Sequence, residues 1–160
     1  MDDFDWYRLF KTLHVVVAML LGGGFVLEAI VGVLVTRVRT VQEARAYSLL
    51  LYISENYLSP AAAVAIAVFG YATADRFGYD LDVTWLLLGQ VMFYGIAVLA
   101  IVFLRTAAKQ LYKLTREAPD GPLTPEIAAQ LKKPAAAIVG PITSVMFVFT
   151  IYLMVARPDW

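Results

Sequence analysis

The chain contains no cysteine and only one histidine, His14. The absence of cysteine excludes disulfide bonds, thiolate metal sites, iron–sulfur clusters and thiol nucleophiles, and it leaves the redox compartment undetermined. With a single histidine, a monomer cannot supply two axial histidines to a haem. The sequence therefore lacks the residues on which the commonest thiol and bis-histidine redox sites depend.

The chain also lacks an excess of charge of either sign, because its 13 basic residues balance its 13 acidic residues. This balance gives no indication of a nucleic-acid partner or of a polybasic membrane anchor. Charged residues make up only 16% of the chain, whereas 61% of it is hydrophobic. Such a composition is typical of integral membrane proteins, whose first partner is lipid.

Four apolar runs are long enough to cross a bilayer as helices, since a spanning helix needs about 20 apolar residues. The runs cover residues 11–36, 46–72, 84–104 and 135–156. Between the last two runs lies a polar loop, residues 105–134, in which Thr124 and Pro125 predict the start of a short helix. We therefore predict one all-α domain over residues 1–160. It is an integral membrane four-transmembrane-helix bundle with short extra helices in the loop between helices three and four.

The second run contains Pro60, which in a membrane helix usually produces a kink and does not end the helix. The part before the proline is unusually polar and places four side chains on one helical face: Ser48, Tyr52, Glu55 and Ser59. This part is either an interfacial approach to the membrane or the inner half of a long tilted helix. We favour the long helix, because residues 60–71 alone are too short to span a bilayer.

Basic residues are distributed unequally between the two sides of this bundle. Nine of the thirteen fall in the loops after helices one and three: Arg37, Arg39, Arg45, Arg105, Lys109, Lys113, Arg116, Lys132 and Lys133. Loops rich in lysine and arginine remain in the cytoplasm. We therefore predict a multi-pass protein of the bacterial cytoplasmic (inner) membrane with both termini on the non-cytoplasmic side.

Two acidic residues, Glu28 and Glu55, interrupt the apolar runs at a similar depth. At about 1.5 Å per helical residue, each lies roughly 12–14 Å above the cytoplasmic boundary. Tyr94, Thr143 and Ser144 fall near the same depth and complete a predicted buried polar layer. Ionisable groups are costly against acyl chains, so these side chains should face the bundle interior.

The carboxyl pair has two interpretations. Two carboxylates close together in a low dielectric cannot both ionise easily, so a shared proton is expected, as in a proton relay or a cation site. Alternatively, Glu28 and Glu55 are single protonated or hydrogen-bonded groups that fix helix register, or Glu55 only caps the cytoplasmic interface. The sequence leaves both interpretations open.

His14 forms a second level, nearer the chain termini. Neutral imidazole is a common ligand for haem iron and other transition metals, and Met154 lies at a comparable depth. One hypothesis is therefore a haem b or copper site at His14 with Met154 as a further ligand. Gly22, Gly23 and Gly24 allow close approach of another helix or of a flat ligand such as haem. The alternatives are a hydrogen-bonded histidine and a packing methionine.

Short motifs in the first and last runs resemble a bacterial family of predicted integral membrane proteins, domain of unknown function 2269. The motifs are Lys11-x-Leu13-His14-Val15, Gly22-Gly23-Gly24-Phe25 and Tyr152-Leu153-Met154-Val155-x-Arg157-Pro158. The resemblance covers nearly all of the chain. It implies a four-span membrane protein and carries no settled activity.

The chain is more distantly similar to HemJ-type protoporphyrinogen oxidases and to copper-resistance D membrane proteins. In HemJ-type proteins a histidine in helix one is implicated in haem binding, and His14 is the matching position. Those enzymes also depend on a lysine a few residues after a tryptophan in helix three. Here Trp85 is followed by three leucines, a glycine and Gln90. The likeness therefore implies a haem b site at His14 without the residue needed for catalysis.

Three functions are compatible with these observations. We favour a non-catalytic accessory or structural subunit of a larger membrane complex or homo-oligomer, because no complete catalytic set is present. The first alternative is a haem b-binding redox protein or protoporphyrinogen-oxidase-like enzyme that uses His14. The second alternative is a proton-linked carrier that uses Glu28 and Glu55. An absorbance spectrum of the purified protein distinguishes the haem-binding alternative from the others.

Overall fold

The computed structural model describes residues 5–158, with residues 135 and 136 described by their backbone alone. The helices in this part of the chain are α1 (Trp6–Val35), α2 (Val41–Phe77), α3 (Thr84–Glu117), α4 (Pro125–Leu131) and α5 (Pro134–Ala156). All except α4 are long and apolar enough to cross a membrane. The prediction of an all-α chain with four helices of spanning length is therefore confirmed. Residues 1–4 and 159–160 of the predicted domain lie outside the described residues.

The helix ends show why the helices are longer than the apolar runs. Asp5 caps α1, because its Oδ1 accepts the N–H of Arg8 at 3.0 Å. Thr40 and Glu43 form a capping box at the start of α2, in which each side chain accepts the backbone N–H of the other residue. Gly78 caps the end of α2, and its φ of 74° is a left-handed conformation that favours glycine.

Pro60 lies inside α2, and the helix continues through it. A proline ring collides with the carbonyl four residues earlier, which here belongs to Asn56. The chain forms a π-helical turn at Ser54–Leu58, where the N–H of Ser59 donates to the carbonyl of Ser54. This wider turn absorbs one extra residue immediately before the proline. α3 contains a second π-helical turn at Ala100–Leu104.

The long helices pack in a defined order. α1 lies along the second half of α2, α3 lies along α5, and α1 also contacts α5. Glycines allow these close approaches. A Cβ on Gly22 would lie 3.1 Å from Cε1 of Phe147, and a Cβ on Gly89 would collide with the methyl group of Met154. Small residues at helix crossings are the usual basis of packing in membranes.

A small hydrophobic core closes one end of the bundle. We call this the basic end, and it comprises residues 36–40, residues 118–133 and the helix ends beside them. Its buried side chains come from α1, α2, α3 and α4: Val35, Val41, Ala44, Leu111 and Ile127. Ser48 and Thr115, both fully buried, share a hydrogen bond of 2.7 Å beside this core. The basic end therefore fixes the start of α2 to the end of α3.

Arg45 of α2 extends the same connection. Its guanidinium donates to the carbonyl of Thr115 at 3.0 Å and to the carbonyl of Ala118 at 2.8 Å. It also forms an ion pair with Asp120 at 2.9 Å. The last carbonyls of a helix lack partners within the helix, so Arg45 satisfies groups that α3 leaves free.

Replacing Arg45 by glutamine should lower the free energy of unfolding by about 1–3 kcal/mol, because two carbonyls lose a charged donor. Asp120→Asn is the matched control, since it removes only an exposed ion pair worth about 0–1 kcal/mol. Thermal unfolding of both variants in detergent measures the difference. Equal losses in the two variants would contradict a role for the carbonyl contacts.

Candidate functional site

Glu28 of α1 and Glu55 of α2 meet inside the bundle. Their carboxyl groups are in side-chain hydrogen-bond contact, and Glu55 is only 6% exposed. Two hydroxyl groups of α2 donate to the same oxygen of Glu28. Ser54 Oγ lies 2.5 Å from Glu28 Oε1, and Ser59 Oγ lies 3.0 Å from it. The two predicted acidic residues therefore form one cluster with two serines.

The π-helical turn in α2 brings these groups together. A regular helix turns about 100° per residue, so two residues five positions apart point in directions around the axis that differ by roughly 140°. In the π-helical turn, the backbone bond between Ser54 and Ser59 stacks the two residues on one face. Glu55 is the second residue of the same turn. The turn that accommodates Pro60 thus also directs both hydroxyls at Glu28, which is consistent with the frequent occurrence of π turns at functional sites.

Two cavities meet at this cluster. The first cavity, of about 300 Å³, lies among α1, α2 and α3, and its walls include Ser59, Tyr94 and Arg105. The second cavity, of about 660 Å³, is bordered by all four long helices and α4. Phe25, Glu28 and Glu55 line both cavities. The carboxyl pair therefore borders both cavities.

Thr143 and Ser144 of α5 line the second cavity together with the carboxyl pair. Their hydroxyls, however, donate to carbonyls of their own helix. Thr143 Oγ1 lies 2.9 Å from the Gly140 carbonyl oxygen, and Ser144 Oγ lies 3.0 Å from the same oxygen. These two predicted polar residues share a cavity with Glu28 and Glu55 but satisfy their own hydrogen bonds locally.

Tyr94 of α3 lines the first cavity, and its hydroxyl contacts a second tyrosine. Tyr71 of α2 donates to Gln90 Oε1 at 2.9 Å and shares a hydrogen bond of 2.8 Å with the hydroxyl of Tyr94. The amide nitrogen of Gln90 donates in turn to the carbonyl of Leu81 at 3.0 Å. This polar cluster of Tyr71, Gln90 and Tyr94 connects α2 to α3, and its pairing was not predicted from the sequence.

His14 packs against α2. Its Nδ1 lies 3.0 Å from the carbonyl oxygen of Ile66, and a Cβ on Gly70 would lie 3.0 Å from the imidazole Cε1. Met154 points its methyl group at Gly89 of α3. The predicted ligand pair thus contacts two different helices, and neither residue lines either cavity. Within residues 5–158, no group of three or more His, Asp or Glu side chains could hold a metal ion.

The three consecutive glycines of α1 have different surroundings. Gly22 accommodates the ring of Phe147, and Gly24 faces Ser59, whose Oγ would lie 3.9 Å from a Cβ on the glycine. A Cβ on Gly23 would meet no neighbouring atom within 4 Å. Gly22 and Gly24 therefore serve helix packing, and Gly24 lies directly beside the carboxyl cluster.

Comparison with known proteins identifies the family. Residues 8–158 match the model of a family described as "Predicted integral membrane protein (DUF2269)". The chain belongs to this family. The resemblance predicted from the motifs in α1 and α5 is thereby confirmed. Neither the curated proteins nor the solved structures gave a match.

The DUF2269 description gives the location of the protein in a membrane and no reaction. A functional interpretation therefore depends on the geometry of this chain. Its most concentrated polar chemistry at membrane depth is the cluster of Glu28, Glu55, Ser54 and Ser59. Ser54 was not predicted from the sequence, because a regular helix would place it about 100° away from Glu55. The proline that follows this segment was the available signal for an irregular turn.

Disulfide trapping tests the helix register that forms this cluster. The natural chain has no cysteine, so Gly24→Cys with Ser59→Cys introduces one defined pair at a separation close to that of a disulfide. We expect mild oxidation to protect both thiols from alkylation. Gly23→Cys with Ser59→Cys is the matched control and should remain alkylated. Equal protection of both pairs, or of neither, would contradict the register.

Proposed function

We propose that this DUF2269 protein is a proton-linked membrane carrier in which Glu28 and Glu55 hold the transferred proton. The observation that carries the proposal is that the two carboxyl groups contact each other where two cavities meet. Carboxyl groups inside a membrane bundle are costly and usually belong to ion or proton pathways. A pair that only fixed helix register would not require a cavity on each side.

The hydrogen bonds suggest how the pair divides one proton. Both serine hydroxyls donate to Glu28 Oε1, as they would to a carboxylate. Glu55 receives no such donors among the described hydrogen bonds and is more deeply buried. Two contacting carboxylates cannot both ionise easily in a low dielectric. We therefore assign the resident proton to Glu55 and the negative charge to Glu28.

Transfer then requires exchange of this proton with each cavity in turn. The first cavity contains Arg105, whose Nε donates at 3.0 Å to the Oδ1 of Asn56, the residue after Glu55 in the π-helical turn of α2. The π-helical turn of α3, Ala100–Leu104, borders both cavities at the same level. Irregular turns on two facing helices provide a place where the bundle can open to one side or the other.

The orientation of the bundle follows from the basic residues. Nine of thirteen lie within residues 37–45 and 105–133, so the positive-inside rule assigns the basic end to the cytoplasm. Under this assignment both termini lie on the outer side of a bacterial inner membrane, and the second cavity opens toward the cytoplasm.

Proton uptake by liposomes containing the purified protein tests the proposal. A potassium diffusion potential drives protons inward, and a trapped pH-sensitive dye reports their arrival. We expect Glu28→Gln and Glu55→Gln each to reduce uptake to the rate of protein-free liposomes, because the amide cannot carry a proton. Glu117→Gln, which changes an exposed carboxylate outside both cavities, is the control. Unchanged uptake in either pair variant would contradict the proposal.

A second candidate function is an accessory subunit of a larger complex or homo-oligomer. The polar cluster favours it, because two of its side chains between α2 and α3 are accessible: Tyr71 is 37% exposed, and Tyr94, which lines the first cavity, is 49% exposed. Polar groups that face acyl chains are unfavourable, and a partner helix would cover them. Co-purification of a second protein at fixed stoichiometry would support this function, and a lone stable monomer would count against it.

Haem binding through His14 is the weakest of the three functions. The bond from the imidazole to a backbone carbonyl is the arrangement that orients many ligating histidines. The predicted second ligand, Met154, packs against Gly89 on another helix. The two residues contact different helices, and no step is assigned to a haem. A Soret band that disappears in His14→Ala would support the haem hypothesis.

A further inference from the structure

We propose that the second cavity binds an organic anion with an apolar body, whose acidic head is held by Arg37 and Lys133. The proposal goes beyond the proton-transfer function and does not depend on it. Both cationic residues line the cavity at the basic end, and the carboxyl pair lines it on the opposite side. The cavity volume of about 660 Å³ is within the range of sites for small organic ligands, about 300–1,000 Å³.

The wall between these two ends is largely apolar. It is formed by side chains from all four long helices and α4, including Val33, Leu51, Phe103, Leu131 and Ala137. The polar side chains of the lining include Thr36, Thr106, Gln110 and Gln130. Such a surface would bind a hydrocarbon chain more favourably than water, because apolar area is removed from solvent.

Within residues 5–158, neither cation at the mouth is neutralised by an acidic side chain. The ion pairs formed within residues 5–158 join Arg8 to Asp5 and Arg45 to Asp120. Arg37 and Lys133 have no ion pair in this part of the chain. Their charges are therefore available to a ligand, and a guanidinium is well suited to bind a carboxylate or phosphate through two hydrogen bonds.

The length of the cavity indicates the shape of the ligand. Arg37 follows the end of α1, and Glu28 precedes it in the chain by nine residues. At 1.5 Å per residue, this separation corresponds to about 13 Å along the helix axis. A medium-length acyl chain with its head at Arg37 would end near the carboxyl pair. The shared chemistry is an acidic head on an apolar chain, which either a free fatty acid or an anionic phospholipid supplies.

Fluorescence titration with dansyl-undecanoic acid tests this site. The intact protein is held in nanodiscs of zwitterionic phosphatidylcholine, so that the bilayer itself carries no net charge. We expect Arg37→Gln with Lys133→Gln to weaken binding about tenfold or more, because two charged hydrogen-bond donors are lost. Arg39→Gln with Lys132→Gln is the matched control, since it removes the same charge from residues outside the cavity. The methyl ester of the probe should compete poorly.

Substitutions at two glycines test the same cavity while the charges of Arg37 and Lys133 are retained. A Cβ on Gly32 or on Gly140 would meet no neighbouring atom within 4 Å, and both residues line the cavity. Gly140→Leu and Gly32→Leu should therefore fill the cavity and weaken binding without a steric collision at Cβ. Gly23→Leu, also free of neighbours but outside the cavity, is the control and should bind as the natural protein does.

The results separate this inference from the proton-transfer proposal. Equal affinity in the two double charge variants, or equal affinity for the acid and its ester, would overturn the inference whatever the proton uptake shows. Loss of proton uptake in Glu28→Gln together with unchanged probe binding would support an anion site that is independent of proton transfer. Nanodiscs that contain phosphatidylglycerol show which ligand supplies the acidic head group. Competition between this lipid and the probe indicates the phospholipid, and a lack of competition indicates the free acid.

Discussion

The contact between the carboxyl groups of Glu28 and Glu55 is the constraint on which the rest of this structure depends. Two ionisable groups among apolar helices are unfavourable unless they are paired and hydrogen-bonded. The pairing requires α1 and α2 to approach closely, which Gly24 permits, and it requires two serine donors on one face of α2. The π-helical turn before Pro60 meets the second requirement. A turn that interrupts the regular helix therefore positions its most polar cluster.

The basic end stabilises the arrangement from outside the apolar region. Arg45, Ser48 and Thr115 connect the beginning of α2 to the end of α3, and α4 contributes Ile127 to the core beneath them. At the other end the helices are joined through glycine contacts and the polar cluster of Tyr71, Gln90 and Tyr94. The two cavities lie between these connections. This arrangement, fixed at the basic end with cavities beside the carboxyl pair, is consistent with the proposed proton exchange.

Much of the fold could be predicted from the sequence, because helices in a membrane must satisfy their backbone internally and must be about 20 residues long. Depth counting also placed Glu28 and Glu55 at one level, since antiparallel helices share a common boundary. The partners of the pair could not be predicted in the same way. Ser54 reaches Glu28 only through a π-helical turn, and the bond between Tyr71 and Tyr94 depends on helix rotation. His14 contacts α2 and Met154 contacts α3. These contacts also depend on how each helix is rotated about its axis, which the depth of a residue in the membrane does not determine.

Infrared spectroscopy of the purified protein at neutral pH tests the shared proton most directly. A protonated carboxyl group gives a carbonyl band that ionised carboxylates lack and that shifts in heavy water. If Glu55 holds the proton against a charged Glu28, this band should be lost in Glu55→Gln and should shift in Glu28→Gln, where its hydrogen-bond partner changes. A spectrum without the band, or a band unaffected by either substitution, would contradict the account.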